Sequence, residues 1–311
     1  MKKTQTLIIT LITLLIGIFS YSQVNAAELD SPVMTLGSSL TQNQRQGTID
    51  TLSAKIKGEN YSTITVTGDN LVKYLNPSGS NFTSASGVWS SALIVPANSG
   101  SGINVTILNY NGNKTITTIT ENQYRNAALT AGISDANIYV TSATPIDGSG
   151  ALAGIYSAYS KNGESLNQSQ VTAAQDEMNT LSEINQENKG KDGYTDQQLN
   201  NAIAGAKSDM ADKGPNITVN EITNIVNTQI NNNGLQDSIT TEQRQQIITV
   251  LTKVRDSGAL KNSNFKDQAK KLSNDIQKSA ANIFDKLNTK ENRNFLQKLW
   301  DNVVSFFTNL F

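Results

Sequence analysis

The residue types missing from this chain limit its chemistry. Its 311 residues include no histidine and no cysteine. Without histidine, a Ser-His-Asp triad, a histidine general base and histidine-ligated zinc or haem are excluded. Without cysteine, disulfides, a thiolate nucleophile and lipid attachment through an N-terminal cysteine are excluded. The two missing residue types thus remove most of the common enzyme designs.

A Ser-Lys dyad is the hydrolase design that remains for a hydroxyl nucleophile. Three pairs come near it in the sequence, and they are Ser53–Lys55, Ser157–Lys161 and Ser208–Lys213. None of these three pairs has the Ser-x-x-Lys spacing. They give no support to such a hydrolase.

A glycine-rich turn is the first candidate for binding. Gly148, Ser149 and Gly150 follow a predicted strand and open a predicted helix. Free backbone N–H groups and the helix dipole at such a position can bind an anion. The segment lacks the complete Gly-x-Gly-x-x-Gly and Gly-Lys-Ser/Thr patterns, so a tight turn capped by Ser149 is the alternative.

Four carboxylates form the second candidate. Asp69, Glu121, Asp135 and Asp147 lie near the ends of predicted elements, where pockets of α/β sheets tend to form. Two of them could act as acid and base in a hydrolase or lyase. Acidic residues are also common at turns and helix starts, and the spacing does not show that any two meet.

The C-terminal residues 294–311 form the third candidate, an amphipathic helix with a wide apolar face. Lys298 and Asp301 are its charged residues after Arg293. Because its polar face is not rich in lysine or arginine, docking on this protein or on a partner is favoured over a membrane interface. The predicted interaction surface comprises Phe295, Leu299, Trp300, Val303, Phe306, Phe307 and Leu310.

A metal site and a cofactor are not expected. Asn109, Asn111 and Asn113 alternate as in a calcium loop, but the sixth position is Lys114 and the twelfth is Thr120. A calcium loop of this type requires glycine and glutamate there.

Alternating apolar residues predict strands in the first half of the chain, with helices between them. The predicted strands cover residues 63–67, 92–95, 103–107 and 137–141, and the predicted helices cover 40–52, 120–131 and 148–159. Thr41 with Gln44 and Thr120 with Gln123 have the spacing of a capping box. Gly132 is placed to end the second helix in a left-handed conformation.

The second half of the chain has helical periodicity. Predicted helices start at Asn167, Thr195, Thr218 and Thr240, each with the capping spacing. A last helical region covers about 264–310, with a break near 288–292. The predicted class is α+β, with an α/β-like domain of mixed sheet and flanking helices at 27–164, an all-helical domain at 165–290 and the C-terminal helix at 291–311.

The first 26 residues have the features of a secretory signal peptide. Lys2 and Lys3 precede an apolar run from Leu7 to Phe19, and small residues end at Ala26. The run is short for the alternative, an uncleaved membrane anchor. Removing the two lysines changes the net charge from −1 to −3. This weak charge provides no basic field for nucleic acid.

Several segments resemble the YpuA-like proteins, domain-of-unknown-function family 1002. They are Thr35–Gly37 with Leu40–Arg45, then Asn126–Ala136, then Thr144-Pro145 with Gly148–Tyr159, and the resemblance covers about residues 32–260. It implies a secreted protein of Gram-positive bacteria, with a mixed α/β part followed by helices. It implies no activity, ligand or catalytic residue.

These observations predict a secreted, cell-envelope-associated protein that binds or supports another envelope component. A carboxylate-dependent hydrolase or lyase is one alternative. A peripheral membrane protein attached through the C-terminal aromatic helix is another. An inward pair of carboxylates in a cleft would favour the enzyme, and an Asn-rich polar surface would favour binding.

Overall fold

A computed structural model describes residues 27, 29–161 and 166–287 of the chain. Five strands form one mixed sheet in the order β2-β1-β3-β5-β4. The strands are β1 (Val33–Gly37), β2 (Ser62–Val66), β3 (Ser90–Pro96), β4 (Ile103–Ile107) and β5 (Ala136–Ser142). The two edge strands pair in parallel with their neighbours, and the central pairs β1–β3 and β3–β5 are antiparallel.

The edge strands and the central strands have different burial patterns. Within β2 the buried Ile64 and Val66 alternate with exposed residues, and within β4 the buried Ile103 and Val105 do the same, as alternation predicts. All five residues of β1 are buried. A strand covered on both faces has no alternation, and for this reason the sequence patterns did not predict β1.

Helices cover both faces of the sheet. Helix α1 (Gln42–Ser53) packs on one face through Leu52. Leu52, and Ile56 in the turn after the helix, belong to one apolar cluster with Met34, Leu36 and Leu93 of the strands. Two helices, α3 (Glu121–Thr130) and α4 (Ser149–Lys161), pack on the other face. Helix α2 (Gly68–Leu75) packs against α4.

Six α-helices follow in the described part of the second half, residues 166–287. They are α5 (Gln168–Asn188), α6 (Asp196–Lys213), α7 (Val219–Asn232), α8 (Thr241–Asp256), α9 (Phe265–Ser279) and α10 (Ala281–Leu287). The described part of the last helical region breaks at Ala280. The break predicted at 288–292 lies outside the described residues. None of the helices in the described ranges is long and apolar enough to cross a membrane.

The predicted caps are confirmed. Thr41, Thr120, Thr218 and Thr240 each accept a hydrogen bond from the backbone N–H three residues later, in complete capping boxes. Thr195 accepts the same bond at the start of α6 and Asn167 caps α5. Gly132 follows α3 with φ of 87°. Local side-chain chemistry therefore fixes where these helices begin and end.

A continuous apolar core joins the sheet to the second set of helices. It includes Val140 of β5, Leu129 of α3, Met178 of α5 and Leu199 of α6. The fold class is α+β, as predicted. The predicted division at residues 164 and 165 stays a prediction, because residues 162–165 lie outside the described ranges.

Candidate binding cleft

A cleft of about 630 Å³ lies where the starts of α3 and α6 meet the loop before α3 and the end of α5. We call it the polar cleft. Ten of its eighteen lining residues carry an amide or a hydroxyl group. These ten residues are Asn109, Thr117, Thr118, Thr120, Asn122, Asn185, Gln186, Tyr194, Thr195 and Gln197.

The loop before α3 is held in place by backbone hydrogen bonds. Tyr110 and Asn113 exchange N–H to carbonyl bonds of 2.9 and 3.0 Å. Between them Asn111 and Gly112 both have positive φ, 48° and 79°, which is the two-residue hairpin turn that Asn-Gly favours. Farther along, the N–H of Thr117 donates to the carbonyl of Ile146 at 2.9 Å. These bonds give the cleft an ordered wall.

Asp196 is the central titratable group of the polar cleft. Burial raises its pKa from the ordinary 3.8 to about 6, against the lowering effect of hydrogen bonds from Thr120, Asn200 and Asn122. The bond from Asn200 Nδ2 to Asp196 Oδ1 measures 2.9 Å. Asp196 therefore joins the start of α6 to the start of α3.

Two basic and two acidic residues line the polar cleft. Lys114 and Lys189 line it, and so do Glu121 and Asp196. Glu121 Oε1 accepts the N–H of Ile107 at 2.8 Å, so one oxygen of this carboxylate holds the end of β4. Equal numbers of opposite charges make the cleft suitable for an uncharged polar ligand.

Behind the cleft lies a second group of polar side chains, the buried cluster. Its members are Asn126 and Thr130 of α3, Glu177 of α5, and Asn200 and Lys207 of α6. Lys207 Nζ lies 2.6 Å from Glu177 Oε1, and both side chains are fully buried. Thr130 Oγ1 donates to Glu177 Oε2 at 2.6 Å. Asn200 contacts both Asp196 and Asn126, so one chain of hydrogen bonds links the cluster to the cleft.

Burial perturbs both charged members of the cluster. It raises the pKa of Glu177, against the opposing effect of Lys207, and it lowers the pKa of Lys207. Both changes favour the neutral forms. Pairing and hydrogen bonding offset the cost of placing two ionisable groups in the interior.

At the predicted anion site, groups of the protein itself accept hydrogen bonds from two backbone amides. At the start of α4, Asp147 accepts the N–H and the hydroxyl of Ser149 at 3.0 and 2.6 Å. The N–H of Ala151 donates to Ser90 Oγ at 2.8 Å. Two amides in this turn thus have partners inside the protein, and Asp147 rather than Ser149 supplies the capping oxygen. Anion binding at Gly148, Ser149 and Gly150 stays a prediction.

Of the four predicted carboxylates, Glu121 is the one that lines the polar cleft. Asp69 lies in the first turn of α2, and Asp147 caps α4. Asp135 is buried and accepts bonds from the N–H of Gly102 and from Gln268. The carboxylate that accompanies Glu121 in the cleft is Asp196, which sequence reasoning missed. The sequence feature beside Asp196 was the predicted cap at Thr195, and this cap indicated only the start of a helix.

The remaining candidates in the sequence are a Ser-Lys dyad, a metal site and the C-terminal surface. One Ser-x-x-Lys pair, Ser263 and Lys266, does have the dyad spacing. However, Lys266 pairs with Asp212, and the hydrogen bond that it donates to this carboxylate raises the pKa of Lys266, which opposes a role as a base. Among the described residues, no three His, Cys, Asp or Glu side chains cluster as a metal site would require. The predicted C-terminal interaction surface lies outside them.

Comparisons with known proteins support the resemblance seen in the sequence. The uncharacterized protein YpuA of Bacillus subtilis (strain 168) is 28% identical over 315 residues, covering 99% of this chain and 100% of that protein. No solved structure matches the chain. The family described as "Protein of unknown function (DUF1002)" matches residues 36–272. The chain therefore belongs to the DUF1002 family.

Proposed function

We propose that this protein is exported and acts at the cell envelope as a binding protein, with the polar cleft as its ligand site. Export rests on the N-terminal 26 residues, whose pattern is that of a signal peptide. The ligand we propose is a hydroxyl- and amide-rich envelope component, such as a segment of wall glycan. The observation that carries the proposal is the lining of the cleft.

The chemistry of that lining suits such a ligand. Amides and hydroxyls both donate and accept hydrogen bonds, so they can replace the water around a sugar. The volume of about 630 Å³ lies in the range of small-molecule sites. The balanced charges of Lys114, Lys189, Glu121 and Asp196 neither attract nor repel an uncharged glycan.

Binding can be tested with a matched pair of double variants. Asn109 and Gln186 line the cleft and are exposed, so Asn109→Ala with Gln186→Ala removes two amides without opening the core. Gln42 and Asn43 are exposed on α1, away from the cleft, and Gln42→Ala with Asn43→Ala is the control. Soluble wall-glycan fragments, titrated calorimetrically, should bind the cleft variant about tenfold more weakly or worse. Equal affinities of the two variants would exclude the cleft as the site.

A carboxylate-dependent hydrolase or lyase is the second candidate, because Glu121 and Asp196 line the same cleft. With a pKa of about 6, Asp196 stays largely protonated in mildly acidic solution and could act as the acid. Incubation with the same fragments separates the two functions. Cleavage products that disappear in both Asp196→Asn and Glu121→Gln would support the enzyme, and intact fragments would support binding alone.

Membrane attachment through the C-terminal residues is tested separately. Flotation with liposomes by the full chain, lost when the chain ends at Asn292, would support the peripheral membrane alternative. Co-sedimentation of the truncated protein with purified cell walls would instead support wall binding through the part of the chain that holds the cleft.

A further inference from the structure

The buried cluster brings three chemically complementary groups together. Lys207 Nζ donates to the Asn126 carbonyl oxygen at 2.9 Å and to Asn126 Oδ1 at 3.2 Å. The same nitrogen lies 2.6 Å from Glu177 Oε1. An amine, a carboxamide and a carboxyl group therefore meet with no solvent between them.

We infer that Lys207 and Asn126 react with each other to form an intramolecular amide bond between their side chains, with Glu177 transferring the protons. The bond would join α3 to α6 across 81 residues of sequence. This inference does not depend on the proposed binding function.

The geometry suits attack by the amine on the carboxamide. With the C=O bond at about 1.2 Å, the 3.2 Å contact places Lys207 Nζ within about 4.4 Å of Asn126 Cγ. A near-attack conformer has a distance of about 3–3.5 Å, so the amine has roughly 1 Å to move. All three side chains are fully buried, so water cannot compete for the electrophile.

The leaving group is also held in position. Asn126 Nδ2 donates to the carbonyl oxygen and to Oδ1 of Asn200, at 3.2 and 3.0 Å. Its Oδ1 faces the lysine. These contacts fix the orientation of the carboxamide. The carboxyl group of Glu177 is also held in position, because its Oε2 accepts a hydrogen bond from Thr130 Oγ1.

The step balances in atoms and charge. A proton passes from the lysine ammonium to the Glu177 carboxylate, which leaves a neutral amine and a neutral acid. The Lys207 Nζ–Asn126 Cγ bond forms, the Asn126 Cγ–Nδ2 bond breaks, and Glu177 takes a proton from the attacking nitrogen as it gives one to the departing nitrogen. Ammonia leaves, and Glu177 ends protonated. No oxidant, reductant or cofactor is required.

Burial favours the reactive forms of both ionisable groups. The pKa of Lys207 is lowered and that of Glu177 is raised, in each case by burial. A neutral amine is the nucleophile, and a protonated acid can assist departure of ammonia. Such a bond would give this cysteine-free chain a covalent cross-link, which constrains the unfolded state as a disulfide does.

Mass spectrometry of the wild-type protein tests the inference directly. After denaturation and proteolysis, the peptides that contain Asn126 and Lys207 should appear as one branched species, lighter than their sum by one ammonia. Separate, unmodified peptides would overturn the inference. A branched species lighter by one water, joined through Glu177, would overturn it too, since it would identify the wrong electrophile.

Three variants test the role of each group. Lys207→Arg keeps the charge but should remove the cross-link, and Glu177→Gln should leave the two peptides unjoined. Asn126→Asp should still cross-link, with loss of water in place of ammonia. Lys253→Arg, in the exposed pair with Asp176, is the control and should retain the branched species. A complete cross-link in Glu177→Gln would contradict proton transfer by Glu177.

Discussion

The polar cleft and the buried cluster use the same kinds of side chains in two different environments. Each contains amides, at least one carboxylate and lysine, and Asn200 is hydrogen bonded to both. In the cleft, lysines and carboxylates line a cavity that a ligand can enter. In the cluster, Lys207 and Glu177 are in direct contact and fully buried. The comparison teaches that access of solvent, more than residue type, separates a site that can bind from a site that stabilises or reacts.

The largest expected effect comes from breaking the cluster. Glu177→Gln should lower the free energy of unfolding by about 3–5 kcal/mol, because Lys207 then lies in the interior without its carboxylate. The neighbouring residue is the matched control. Asp176 pairs at 2.8 Å with Lys253, whose side chain is 52% exposed, so Asp176→Asn should change the free energy by less than about 1 kcal/mol. Urea denaturation of the two variants measures both values, and equal losses would contradict the comparison.

The next effect concerns Asp196 and pH. Its folded-state pKa of about 6 exceeds the ordinary 3.8, so the native protein binds more protons than the unfolded chain between these values. Stability from this group is therefore fully present below pH 4 and is lost as the pH rises to about 6. Relative to Asp196→Asn, the wild-type protein should lose about 1–3 kcal/mol between pH 4 and pH 7.

A second variant sharpens the pH test. Asn122 donates a hydrogen bond that lowers the pKa of Asp196. Asn122→Ala should therefore shift the titration of Asp196, followed by NMR of its carboxyl carbon, to higher pH. A shift to lower pH would mean that the added solvent access outweighs the lost hydrogen bond, and would contradict the role given to Asn122.

A smaller effect is expected at the end of α3, the helix that runs from the cleft to the cluster. Gly132 has φ of 87°, and Gly132→Val should cost about 1–2 kcal/mol because a branched side chain disfavours the left-handed region. A side chain there would also meet Gln170 Oε1, whereas Gly190 has φ of 88° and open space around it. Both variants force a branched residue into the left-handed region, but only Gly132→Val also meets Gln170. Thermal melts of Gly132→Val and Gly190→Val therefore separate the backbone cost from the side-chain contact. A neutral Gly132→Val would show that α3 ends elsewhere.

The smallest effect on stability is expected in the cleft itself. Asn109→Ala with Gln186→Ala should change the free energy of unfolding by less than about 0.5 kcal/mol, since both residues are exposed. If this double variant instead melts like Glu177→Gln, the amides of the cleft hold the fold together and are not free to bind a ligand.

Local rules in the sequence determined much of the fold. Thr120 and Gln123 fix the start of α3 wherever it lies in space, because both partners of the capping box are within four residues. The alternation of Ile103 and Val105 predicts a strand with one buried face. Asn111 and Gly112 form a turn for conformational reasons of their own. The absence of histidine and cysteine restricted the chemistry in the same direct way.

The tertiary structure alone decided the order of the strands, the position of β1 and the composition of both sites. Asn126, Glu177 and Lys207 lie on three helices, and no local pattern indicates that they meet. Their contact depends on how α3, α5 and α6 pack around the shared core, and core packing is set by shape and volume summed over many residues. Asp196 likewise acquires its raised pKa only from the burial that this packing imposes.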